Sequence, residues 1–176
     1  LEKAIETSIG EDVRIVSMGA ENDAQKQNQQ IQEMIDMGVD AVFLSPVDWE
    51  QIESALEALK EAGIPVINLD TQVKNSDLTA AFIGSDNKNA GYVCGKDLKE
   101  KCPDGGKILI FENKGINSVN ERITGFEQAI SNAGFEVLNR ADVNGEKKKA
   151  YEQMKSFLKQ YPEINAVMCG TDEVAL

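Results

Sequence analysis

No histidine occurs in the 176 residues. That removes the side chain best suited to proton transfer near neutral pH and the commonest metal ligand. Only three cysteines are present, Cys94, Cys102 and Cys169. None has the partners or spacing of a structural zinc site, so no metal is expected. Cys94 and Cys102 lie eight residues apart on one predicted helix, too far to bridge if it is continuous. All three therefore read as small buried apolar residues. Basic residues are few, 18 against 30 acidic ones, and the net charge of -12 argues against a nucleic-acid partner. The longest basic run, Lys147-Lys148-Lys149, reads as the opening of a solvated helix. No segment approaches the roughly 18 apolar residues of a membrane span. The chain also lacks the glycine-rich dinucleotide fingerprint, the phosphate loop and the nucleophile elbow. No cofactor is expected.

What the chain does contain is a repeated unit of amphipathic helix, glycine and apolar strand. Asp23 can cap a helix that turns Ile31, Met34 and Ile35 to one face and stops at Gly38. An apolar strand over 39–45 follows. Asp48 is expected to start the next helix, with Gln51 completing a capping box. Ile52, Ala55, Leu56 and Leu59 are its buried stripe, and Gly63 its stop. A strand over 64–69 leads to Asp70. Further strands are expected over 80–83, 107–111, 135–138 and 166–169. The helices between them carry Val119, Ile123, Phe126 and Ile130, and then Tyr151, Met154, Leu158 and Tyr161, the latter read as core. This alternation predicts an α/β fold of βαβ units with parallel sheets covered on both faces. The polar interval 84–87 is the candidate crossover between two lobes, 1–85 and 86–176. Residues 1–10 read as the tail of a helix already under way and 171–176 as a helix beginning, so the chain reads as an internal piece of a longer protein.

Right-handed crossovers bring the C-terminal ends of parallel strands to one edge, where small ligands bind. That edge would carry Ser45-Pro46-Val47-Asp48, Asp70-Thr71-Gln72, Glu112-Asn113-Lys114, Asp142-Val143-Asn144 and Gly170-Thr171-Asp172. Carboxylates, amides and hydroxyls in that number suit a polyhydroxylated ligand, because a carboxylate accepts from adjacent hydroxyls and an arginine donates in a fixed fork.

An ordered series of motifs sharpens this. Ser45-Pro46-Val47-Asp48, then Ala62-Gly63-Ile64-Pro65-Val66-Ile67-Asn68-Leu69-Asp70, Ile83-Gly84-Ser85-Asp86-Asn87 and Ala90-Gly91 resemble the ribose-type sugar-binding proteins of bacterial ABC importers, in the type I periplasmic-binding-protein family. Arg122-Ile123-Thr124-Gly125-Phe126, Pro162-Glu163-Ile164-Asn165-Ala166-Val167 and Thr171-Asp172-Glu173-Val174-Ala175 continue it in order. The resemblance implies two Rossmann-like lobes closing on a sugar or polyol, both incomplete in this chain. It implies Asp70 as the first-lobe carboxylate and Arg122 as the second-lobe arginine. Thr171 falls where the family usually has asparagine, Val143 where it often has an aromatic ring, and Thr71 where ribose-type members have a second arginine. These departures point away from ribose itself. The family's first strand has no counterpart here, and without it neighbouring strand edges would be unpaired unless another piece fills the gap.

The role so implied is extracytoplasmic capture of the sugar for a membrane permease, without catalysis. A LacI-type regulator core or a membrane sensor would share the clamp. An enzyme reading rests only on a glycosidase-like pairing of Asp70 with Glu112. Asp48, Asp142 and Asp172 read as caps or structural acids, and Trp49, the only tryptophan, as packing or exposed surface.

Overall fold

The computed structural model describes Thr7 and residues 13–176; apart from Thr7, the helix tail expected over 1–10 lies outside the described residues. The described chain forms two three-stranded parallel sheets.

The first sheet has strands β1 (Val42–Leu44), β2 (Val66–Leu69) and β3 (Ala81–Ile83), in spatial order β1-β2-β3. Helix α1 (Ala24–Asp36) precedes β1 and helix α2 (Glu53–Glu61) joins β1 to β2. Asp23 caps α1 as expected, its Oδ1 accepting from the Gln25 and Lys26 amides at 2.9 and 3.0 Å. Gly38 and Gly63 follow the two helices at φ 68° and 72°, a conformation glycine adopts without a Cβ penalty. Ile31 of α1 and Ile52, Ala55, Leu56 and Leu59 beside and along α2 pack on Val42, Leu44 and Val66. The predicted stripe is therefore the buried one.

Asp48 departs from expectation. Its Oδ1 accepts from the Glu50 and Gln51 amides, both at 2.9 Å, yet the regular helix starts only at Glu53. Gln51 bonds the Asp48 carboxylate instead of its backbone amide, so no capping box forms. The cause is half-buried Trp49, whose amide donates to the Gly115 carbonyl and whose carbonyl accepts from the Lys74 amide. These partners hold the peptide in a turn.

The second sheet has strands β4 (Gly106–Glu112), β5 (Phe135–Asp142) and β6 (Ala166–Cys169), with β4 central. Helix α3 (Asn87–Lys101) enters this half, α4 (Asn117–Ile130) joins β4 to β5, and α5 (Lys147–Gln160) joins β5 to β6. A single turn, α6 (Asp172–Ala175), follows. Ile108 and Ile110 face Val119, Ile123, Phe126 and Ile130 of α4. Leu109 and Phe111 face the opposite way, toward Ala150 and Phe157 of α5. Both faces of this sheet are covered, which is what an unbroken apolar strand predicts.

The first sheet does not follow that rule among the described residues. Both α1 and α2 pack on one face, while Phe43, Phe82 and Ile83 are 44%, 37% and 61% exposed. After β3 the chain does not fold back; α3 packs on α4 of the other sheet. Among the described residues this sheet is thus covered on one face only.

Two side-chain expectations are also corrected. On α5 the core face is Ala150 and Phe157, with Met154 and Tyr161 partly buried, and Tyr151 and Leu158 lie 61% and 50% exposed. The true stripe is rotated by one residue because Phe157 stacks on Phe111 with ring centroids 6.0 Å apart. Cys94 is exposed, since α3 buries its Asn87, Gly91 and Gly95 face against α4. All three cysteines are free thiols, and burial pushes those of Cys94 and Cys169 up from the ordinary value.

Candidate functional site

The loop after β2 is organised from within. Asn68, fully buried, donates its amide to the Leu44 and Thr71 carbonyls at 3.2 and 2.9 Å, and its Oδ1 accepts from the Val73 amide at 3.0 Å. The chain turns at Asp70, whose φ of 60° lies in the left-handed region. That conformation costs a non-glycine residue roughly 1–2 kcal/mol, less for aspartate, and such outliers gather at functional positions. The Asp70 amide is held by the Ile83 carbonyl at 2.9 Å. Its carboxylate is exposed and takes no hydrogen bond or ion pair from the described residues.

Arg122 projects from α4 and is half-buried. Its Nε donates to Asn87 Oδ1 at 3.0 Å and its Nη1 to the Gly170 carbonyl at 2.6 Å. Gly170 can come this close because it has no side chain: a Cβ there would lie 2.3 Å from Val119 Cγ1. Two of its five N–H donors are thus committed, and the other three have no partner among the described residues.

Thr71 and Ser118 join the two halves. Both are 2% exposed and their hydroxyls share a hydrogen bond at 2.9 Å. Thr71 is the neighbour of Asp70, and Ser118 stands four residues before Arg122, on the same face of α4. The contact between Trp49 N–H and the Gly115 carbonyl at 3.1 Å lies at the same edge. The loop bearing the acid and the helix bearing the guanidinium therefore meet directly. Thr71→Val leaves the Ser118 hydroxyl buried without a partner, an expected cost of about 1–2 kcal/mol. Adding Ser118→Ala should recover most of it. Urea denaturation of the full-length protein checks this, and equal stability of wild type and single variant would mean the hydroxyls do not pair.

The remaining predicted residues are distributed as follows. Thr171, half-buried, caps α6, its hydroxyl accepting from the Val174 amide at 3.4 Å. Val143 is 2% exposed and packs in the core of the second sheet with Phe111 and Phe157. Asp142 accepts from the Asn144 amide in the turn after β5. Glu112, buried at the end of β4, pairs with Arg140 at 3.0 Å and with Lys114 at 3.5 Å. Burial alone would lower the Arg140 pKa; hydrogen bonds to Glu112 and Glu127 outweigh it and hold it above the ordinary value. Both Glu112 oxygens are thus engaged with cations. Sequence reasoning does not single out Asn87 or Ser118. The one signal for Ser118 is its spacing of four from Arg122 along α4, and the one for Asn87 is its position directly after the Asp86 cap of α3.

A family model described as periplasmic binding protein domain matches residues 1–176. The chain belongs to this family. The ribose import binding protein RbsB of Bacillus subtilis is 28% identical to this binding-protein chain over 165 residues, 93% of this chain and 53% of that protein. The xylitol-binding protein of Mycolicibacterium smegmatis is 25% identical over 168 residues, 93% of this chain and 48% of that protein. Among solved structures, the fructose binding periplasmic domain of a hybrid two-component system superposes with a TM-score of 0.91 at 29% identity, covering 99% of this chain and 58% of that one. An ABC transporter solute binding protein from Bacillus halodurans C-125 with bound myo-inositol superposes at 0.89 and 26% identity, covering 99% and 61%. The fold is that of type I periplasmic binding proteins, and the chain spans about half the length of the curated relatives it matches.

Proposed function

We propose that the full-length protein captures a small sugar or polyol between two lobes and delivers it, outside the cytoplasm, to the permease of an ABC importer. Residues 1–85 contribute to one lobe and 86–176 to the other. Asp70 accepts from ligand hydroxyls and Arg122 donates to ligand oxygens. Thr171 sits at the rim beside the Gly170 carbonyl that steadies Arg122. Thr71 and Val143, both buried, shape the cleft from behind. The observation that carries this reading is the meeting of the Asp70 loop and α4 through Thr71 and Ser118, with a free carboxylate on one side and a partly anchored guanidinium on the other. Relatives named for ribose, xylitol and fructose, and one holding myo-inositol, support the ligand class. The mechanism is lobe closure around the ligand, with no bond made or broken.

A second reading, the ligand-binding ectodomain of a membrane sensor, is favoured by one observation: the likeness to the periplasmic domain of a two-component system. Calorimetric titration of the full-length protein with D-ribose, D-fructose, xylitol and myo-inositol tests what the two readings share. Saturable binding of at least one is expected. No binding of any pentose, hexose, inositol or linear polyol would contradict both.

A further inference from the structure

Arg122 does not hold its pose alone. Asn87, only 4% exposed, accepts from Arg122 Nε at 3.0 Å, while its own Nδ2 donates to the Ser85 carbonyl at 3.2 Å. The amide is thereby fixed one way round, nitrogen toward Ser85 and oxygen toward the arginine. Gly170 holds Nη1 from a second side. Both Nη2 hydrogens and one on Nη1 have no partner among the described residues. We propose that Asn87 is a positioning residue for the ligand-binding arginine: by accepting from Nε it turns the Nη2 side of the guanidinium toward the sugar.

A neutral acceptor is the chemically apt choice here. A carboxylate at the same place would hold the guanidinium equally well but would offset the charge that strengthens its bonds to a ligand. The neighbouring Asp86 carboxylate is the cap of α3, its Oδ1 accepting from the Asn89 amide at 2.9 Å. Asn87 is also the first residue of α3, directly after the segment 84–86 that carries the chain from the first sheet to the second. Its bond to Ser85 ties that crossover to the arginine.

This inference rests on the sugar-binding reading, and the test separates the two. Binding of the tightest sugar among D-ribose, D-fructose, xylitol and myo-inositol is measured for full-length wild type, Asn87→Ala, Arg122→Ala and the double variant. Asn87→Ala should weaken binding about fivefold in the wild-type background and have no further effect once Arg122 is gone. An Arg122→Ala loss without an Asn87→Ala loss, or an equal Asn87→Ala loss in both backgrounds, overturns the positioning role. If none of the four sugars binds wild type, it is the sugar reading that fails for them. A ligand-free measurement then decides on Asn87: solvent exchange of the Arg122 Nε–H, followed by nitrogen-15 NMR, should be at least about tenfold faster in Asn87→Ala. An unchanged rate overturns the proposal.

Discussion

Replacing Arg122 by alanine in the full-length protein is expected to weaken sugar binding by about ten- to a hundredfold. Each charge-assisted hydrogen bond is worth roughly 1.5–3 kcal/mol, and a factor of ten in affinity corresponds to about 1.4 kcal/mol. Arg122→Lys should recover little. A single ammonium cannot reach both the Asn87 oxygen and the Gly170 carbonyl, as Nε and Nη1 do from different sides of the guanidinium, and still present donors forward. Asp70, at the edge of the other sheet, is the matching test. Asparagine is the informative substitution, because it tolerates the left-handed φ of 60° that alanine would not. Asp70→Asn keeps the turn and removes the charge, and a loss of about tenfold is expected. Calorimetric titration reads both. Affinities equal to wild type would remove these residues from the site.

Gly91→Ala should destabilise the protein by about 3 kcal/mol, against the sign that helix propensity alone predicts. In an exposed helix the change would gain about 1 kcal/mol. Here a Cβ on Gly91 would stand 1.7 Å from the Arg122 carbonyl oxygen. Real Cβ atoms never approach that closely, and the obstacle is backbone, so α3 and α4 must separate. Overpacking costs about 1–3 kcal/mol or more, and loss of close contact along the pair adds to it. Gly95 and Gly125 line the same crossing, a Cβ on Gly125 falling 1.9 Å from the Lys88 carbonyl oxygen. Gly19→Ala is the control: nothing lies within 4 Å of its added methyl. It should change stability by less than about 0.5 kcal/mol. Urea denaturation compares the two. Because the displaced atom belongs to Arg122, Gly91→Ala should also lower sugar affinity, a consequence a remote packing defect would not have.

Local signals are the legible ones. Asp23 capping α1, the stripe of Ile52, Ala55, Leu56 and Leu59, and the alternation of helix and parallel strand follow from short-range geometry. Residues 41–44 and 108–111 are both continuous apolar runs, so strand composition does not distinguish the sheet covered on one face among the described residues from the one covered on two. Which face a helix covers is decided by where the chain goes next, and α3 leaves for the other sheet. The buried face of α5 is hidden from sequence for a related reason: Phe157 is chosen by its partner Phe111, 46 residues away, and not by spacing within the helix. Asp48 carries a cap-like sequence, but Trp49 is held by Gly115 and Lys74, partners outside its own segment. In the candidate site, the acid and the arginine are legible from motif order. Asn87 and Ser118 are not, since the long-range contact of each lies 35 or 47 residues away and each resembles an ordinary residue of a helix first turn.

A crystal structure of the full-length protein with its sugar bound is the most direct measurement. Ligand hydroxyls within hydrogen-bond distance of both the Asp70 carboxylate and the Arg122 Nη atoms, with Thr71 and Ser118 paired beside them, is the predicted result. A bound sugar that touches neither side chain would contradict the account.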